Sequence, residues 1–137
     1  MKKEKSCGAL VYHTDSKGQV TYLLIQHKNG GHWAFTKGHV EGQESEAETA
    51  LREIQEEVQL QVDLDQGFRH LTTYSPKPGV TKDVIYFVAQ SQSQTVKTQV
   101  EEVLAYAWLP FDQALAQLSY PNDQAILSAA HDYLSKK

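Results

Sequence analysis

The chain has 137 residues and a mass of 15.4 kDa, the size of one domain, and with 40% of its residues hydrophobic it holds enough apolar material for a sizeable core. A single cysteine, Cys7, excludes an internal disulfide framework and any multi-cysteine zinc or iron–sulfur site, and fits a reducing compartment. The net charge of −4 is concentrated: residues 44–57 carry six acids and one base, leaving 11 acids and 12 bases elsewhere, so there is no basic excess for duplex nucleic acid but one segment that attracts divalent cations.

The start, MKKEKSCGALVYH, has lysines with no sustained apolar stretch behind them, and no run approaches the roughly 18 residues that cross a bilayer. A cytoplasmic protein without a membrane partner is expected. Residues 6–13 (SCGALVYH) and 20–27 (VTYLLIQH) are β-rich and joined by the turn-rich TDSKG, which reads as a hairpin. Residues 28–32, with Asn29-Gly30-Gly31, form a loop, followed by a short Trp33-Ala34-Phe35 stretch and a second loop, TKGHVEGQ. An acidic helix comes next, then strands at 68–74 and 84–89 on either side of a loop, SPKPGVTK. A Ser/Gln-rich stretch leads to Glu101-Glu102 and the strand VLAYAWL, which Pro110 ends; residues 111–118 and 122–134 carry helical spacing. With no internal repeat and no dividing linker, residues 1–137 read as a single α+β domain, a mixed β-sheet packed between α-helices. Nothing in the sequence sets an oligomeric state.

In the acidic segment Ala47, Ala50, Leu51, Ile54 and Val58 fall on one helical face. Measured from Leu51 at about 100° per residue they lie between roughly −100° and 0°, whereas Glu53, Glu56 and Glu57 lie between roughly 140° and 240°. Three carboxylates are therefore expected on the face opposite the core. Ser45 and Glu48 form a capping-box pattern that starts the helix, and Gln59 stands where a terminating glycine would be natural. Like charges at this spacing repel by about 0.2–0.5 kcal/mol per pair, so the face is either simply solvated or offset by a divalent cation. Oxygen ligands with no nearby cysteine suit magnesium or manganese better than zinc.

The wider spacing is Gly38, five residues, Glu44, seven residues, then Arg52-Glu53-Ile54-Gln55-Glu56-Glu57-Val58-Gln59-Leu60. It resembles the Nudix box, G-x5-E-x7-R-E-U-x-E-E-x-G-U with U apolar, at every defined position except the last glycine. The resemblance implies the Nudix fold, a mixed sheet sandwiched between helices, and a metal-dependent enzyme that cleaves a nucleoside diphosphate linked to another group. Carried over, Glu53, Glu56 and Glu57 would bind the metal, Arg52 would orient Glu53, and the Gly38 carbonyl could add a ligand. Gln59 would cost about 1 kcal/mol in a left-handed conformation, or the helix ends differently. Two further departures are Gly42-Gln43, where Pro-Gly is commoner, and Thr36, where proline is usual.

From Lys5 to about Leu134 the chain is similar to the small asymmetric bis(5′-nucleosyl)-tetraphosphatases, which hydrolyse diadenosine tetraphosphate to ATP and AMP. The likeness rests on SCGALVY, His32-Trp33, Lys37-Gly38-His39-Val40-Glu41, Glu48 through Glu53, and Lys82 through Phe87. It implies Glu102 as a fourth carboxylate, a metal ligand or the base that takes a proton from water, with Glu101 its rival; in an alternating strand the two would face opposite ways. Lys37, Lys82 and His32 sit in loops or at strand edges, where they would meet a polyphosphate or be ordinary surface charge. Tyr86 lies in VIYFVA, with Val84, Tyr86 and Val88 on one face and Ile85 and Phe87 on the other, a core pattern; the resemblance instead stacks it on adenine, with Tyr120 closing the other side. Three readings compete with a dinucleotide hydrolase: a Nudix enzyme acting on nucleoside triphosphates or on the 5′ end of RNA, a nucleotide-binding regulator that has lost catalysis, and a structural domain with an acidic interaction helix.

Overall fold

The computed structural model describes residues 2–137, which form seven strands and three helices. The strands β1 (Lys2–Thr14) and β2 (Val20–His27) are joined by the expected turn, in which the Asp15 carboxylate accepts from the backbone N–H of Lys17 and Gln19 and Gly18 takes a φ of 82°. They pair only near that turn, Tyr12 opposite Tyr22, and then part. The gap is filled by β3 (Trp33–Ala34) on β2 and β4 (Thr36–His39) on β1.

Residues 36–39, expected as loop, are thus a strand. They pair with residues 6–9, and Gly8 lets the two backbones close, since a Cβ there would overlap the Thr36 carbonyl and Lys37. Distant pairing makes this strand, which is too short and polar for periodicity to mark. On its other edge β1 runs parallel to β6 (Val80–Ser91), itself paired with β5 (Val62–Lys77). The expected loop between these two strands shrinks to a tight turn at Pro78-Gly79, so the hairpin is long. β7 (Val103–Pro110) pairs with β2, and Pro110, without an N–H, closes it before α2 (Phe111–Gln117) and α3 (Pro121–Ser135).

Alternation along the strands sorts the core into two layers. Leu10, Tyr12, Tyr22, Leu24, Val84, Tyr86 and Val88 pack with Ala114, Leu118, Ile126, Leu127 and Ala130 from the α2–α3 side. Cys7, Ala9, Val11, Leu23, Ile25, Ile85 and Phe87 pack on the other face with Ala50, Ile54 and Val58 of α1 (Glu46–Val58). Burying each large apolar side chain stabilises by about 1.5–3 kcal/mol, so both faces of the sheet hold a helical layer, the expected sandwich.

α1 starts as its sequence dictates: the Glu48 N–H donates to the Ser45 hydroxyl at 3.1 Å, and the Ser45 N–H donates to the Glu48 carboxylate at 2.8 Å. It ends at Gln59, which is left-handed (φ 54°, ψ 46°) and whose N–H reaches the Ile54 and Gln55 carbonyls. Its rotation differs from the expected one. Leu51 is 41% exposed, while Thr49 and Glu57 are buried beside Ala50, Ile54 and Val58. The buried arc is turned by about 50° toward the carboxylates, because α1 leans on β1 and β4 and the side-chain-free Gly38 lets that flank approach. Glu57 therefore faces inward instead of away from the core.

Candidate active site

Gly38 on β4 meets α1 where a Cβ would overlap the Glu53 carboxyl, so glycine makes room for the acid. One guanidinium then organises the carboxylates around it. Arg52 donates from Nε to Glu44 at 2.7 Å, from Nη1 to Glu53 at 2.6 Å and Glu56 at 2.8 Å, and from Nη2 to the His39 carbonyl at 2.9 Å; Glu41 lies 3.1 Å from Nη1. Glu44 also accepts from the Thr49 hydroxyl and the Glu41 N–H, and its bond to Arg52, first, holds its carboxyl down at about 2. Glu44 is thereby a bracket tying the loop after β4 to α1.

Carboxylate oxygens of Glu41, Glu53 and Glu56 lie within 4.8 Å of one another. Glu57 is 5% exposed and its Oε2 has no hydrogen-bond partner among the described residues. Burial, and then the neighbouring Glu53, push its carboxyl up to about 8, against the pull of Lys37. Burial likewise raises Glu53 in spite of Arg52. Acids this close, one with an orphaned buried oxygen, require a cation or a proton, and an all-oxygen donor set fits magnesium or manganese. Glu41 joins this cluster although the sequence assigned it no ligand role.

These acids line an open cleft of about 370 Å³ together with Lys37, Gly38, Lys82, Glu102 and His27. Glu102 lies in the turn before β7, where its carbonyl accepts from the Lys28 N–H at 2.9 Å and the next residue, Val103, pairs with His27. Glu101 is exposed and does not line the cleft. A turn, not strand alternation, separates the two acids, because β7 begins only at Val103. Burial, followed by Lys37, lowers the Lys82 ammonium.

His32, Tyr120 and Tyr86 do not line this cleft. The His32 ring stacks on His27 (centroids 4.7 Å apart) and lies 5.4 Å from Tyr120, which is 49% exposed at the start of α3. Tyr86 is 2% exposed and packs edge-on to Phe35 in the α2–α3 layer. Its faces are covered, which corrects the expectation that it stacks on a base; strand alternation had already placed it among valines. The exposed aromatic near Tyr120 is Tyr74, which sits opposite Lys82 in the β5–β6 register and is within electrostatic reach of Tyr120 and Asp123. Only the hairpin register reveals it. His27, which has no ligand spacing in the sequence, also lines the cleft: burial, then Lys37 and His32, lower its imidazole to about 4, and its Nε2 has no hydrogen-bond partner among the described residues.

The NUDIX domain family matches residues 5–130. The chain belongs to the NUDIX family. This NUDIX protein is 34% identical to the asymmetrical bis(5′-nucleosyl)-tetraphosphatase of Sus scrofa over 95% of each chain. It is also 32% identical to the 8-oxo-(d)GTP phosphatase of Mycolicibacterium smegmatis over 83% of its own length and 34% of that protein. Its fold matches a binary complex of the C. elegans Ap4A hydrolase with a TM-score of 0.88 at 24% identity, covering 98% of this chain and 99% of that one. The NUDIX match and these relatives make it a NUDIX pyrophosphohydrolase. No helix among the described residues is long and apolar enough to cross a membrane.

Proposed function

We propose that residues 1–137 act as one catalytic domain that hydrolyses dinucleoside tetraphosphates asymmetrically, with diadenosine tetraphosphate cleaved to ATP and AMP. The observation that carries this reading is a chain of neighbours: the acidic cleft holds Lys37 and Lys82, Tyr74 sits opposite Lys82 in the β5–β6 register, and Tyr120, against His32, is within electrostatic reach of Tyr74. That is the order of metal, polyphosphate and base in such a substrate. The likeness to the pig enzyme over 95% of each chain supports it. We place the activity in the cytoplasm, where magnesium and nucleotides are both abundant.

In this reading Glu53, Glu56 and Glu57 hold the divalent ion, with Glu41, Glu102 and the Gly38 carbonyl beside them. Bound there, magnesium or manganese would polarise a phosphoryl oxygen and make water a better nucleophile. Arg52 keeps Glu53 and Glu56 in place for it. Glu57 or Glu102 takes the proton as the water oxygen bonds to phosphorus and the P–O–P bridge breaks, the bridging oxygen leaving with the other nucleotide. Lys37 and Lys82 balance charge on the remaining phosphates. Tyr74 and Tyr120 stack on the base, worth about 1–3 kcal/mol each by the usual range for such contacts.

A second reading, hydrolysis of nucleoside triphosphates, is favoured by the likeness to the 8-oxo-(d)GTP phosphatase. Chromatographic product analysis after incubation with diadenosine tetraphosphate and magnesium in water enriched in heavy oxygen separates the two. Equal ATP and AMP, with label in one of them, is the expected result. No turnover of the dinucleotide, with nucleoside triphosphates or triphosphorylated RNA cleaved instead, would overturn the substrate assignment and keep the NUDIX chemistry.

A further inference from the structure

Asp123, in the first turn of α3, is 8% exposed, yet no hydrogen bond or ion pair to its carboxylate is found among the described residues; only its backbone N–H is engaged, by the Tyr120 carbonyl at 3.1 Å. Of the other buried polar side chains, Thr36 donates to the Ala9 carbonyl, Thr49 to Glu44 and Ser91 to the Ser93 carbonyl, while Ser6 and Glu57, each with an oxygen that has no partner among the described residues, line the acidic cleft. The α3 dipole favours an acid in its first turn, but an exposed carboxylate obtains that benefit while staying hydrated. A side chain this enclosed, with no protein donor and with its oxygens still in contact with solvent, has its acceptor capacity open to a ligand.

The surroundings indicate which kind. Asp123 is within electrostatic reach of Tyr74, Tyr86 and Lys37, so it lies where the phosphate-facing lysine gives way to the two exposed tyrosines. Stacking on tyrosine tolerates any base, and metal, lysines and phosphates are indifferent to base identity. Discrimination requires a polar group at the edge of the base, and Asp123 is the unpartnered one on that side. We propose that Asp123 reads the base: its carboxyl accepts a hydrogen bond from an amino group on the edge of a nucleobase seated between Tyr74 and Tyr120. This rests on the dinucleotide reading above. A base that lacks the amino group leaves the buried carboxyl unpaired and is rejected for that reason.

The test compares kcat/KM for diadenosine tetraphosphate with that for its analogue built on unsubstituted purine, which has no exocyclic amine. Wild-type protein is expected to prefer the amino-bearing substrate by about tenfold or more, the range of a hydrogen bond to a charged group. In Asp123→Leu the preference collapses to within about twofold, because the desamino substrate no longer leaves a covered carboxyl unpaired and its kcat/KM rises toward that of the amino-bearing one. Equal rates for the two substrates in the wild type, or an unchanged preference in Asp123→Leu, would overturn the proposal. The first of these needs no variant, so a folding failure in Asp123→Leu does not protect it. Absence of any dinucleotide turnover by the wild type is a separate outcome that removes the dinucleotide reading and this proposal with it.

Discussion

Two cleft residues, the buried Glu57 and the half-buried His27, are shifted toward their neutral forms by burial, and the direction of each shift makes a prediction. Glu57, pushed up to about 8 by burial and Glu53, costs stability when ionised without a cation. Glu57→Gln replaces it with a neutral side chain of the same shape, so the metal-free variant is expected to melt at or above the wild-type temperature. Its turnover is expected to fall by about 10²–10⁴, the range for losing a positioned base. Wild-type turnover at saturating magnesium would remove Glu57 from the chemistry. His27 is the opposite case. Its pKa of about 4 lies below the 6.5 of a free imidazole, so between those values the unfolded chain binds a proton that the folded one refuses. Stability contributed above pH 6.5 is lost as pH falls toward 4. His27→Phe keeps a ring against His32 and removes the titration. Urea unfolding at stepped pH should give a flatter loss from pH 6.5 to 4 in the variant, and parallel curves would show that the folded protein protonates His27.

Elements whose signals are local were legible before any contact was known. The capping box at Ser45 and Glu48 and the apolar strand β2 each specify themselves over a few residues, and both stand where the sequence put them. β4 did not show, because its four residues owe their conformation to residues 6–9 of β1. The same division runs through the candidate site. Arg52, Glu53 and Glu56 share one helix and were readable from spacing, but Tyr74 becomes a candidate only through its register with Lys82, and Glu57 turns inward only because α1 leans on β4. The helix end was half legible: Gln59 stood out as the non-glycine at a glycine position, and it adopts the left-handed conformation that the position demands. Gln59→Gly should therefore relieve about 1 kcal/mol, raising Tm by roughly 3–5 °C in a chain of this size, with kcat unchanged. A variant no more stable than wild type would mean that Gln59 carries no strain.

At the scale of the molecule, the split between β1 and β2 holds β4 and the acidic cleft beside it, and a second group of residues lies outside that cleft. The loop after β4 and α1 hold the acids; the β5–β6 hairpin and the start of α3 hold Tyr74 and Tyr120. Lys37 joins them, within electrostatic reach of Glu57 at one end and Asp123 at the other. Magnesium alone would neutralise only the acidic end, and a polyphosphate alone would bring further negative charge against unneutralised acids. Each ligand removes the obstacle to the other, so their affinities are coupled. With a non-hydrolysable dinucleoside tetraphosphate at about 100 times its Kd, magnesium present, the wild type gains about 2.7 kcal/mol from the nucleotide, or roughly 8–14 °C in Tm. The rise with both ligands should exceed the sum of the rises with each alone. Lys37→Met should keep the shift due to magnesium and lose most of the nucleotide increment, because the variant breaks the bridge without touching the acids. Shifts that simply add in the wild type would show that the two ends bind independently and that the cleft is not one site.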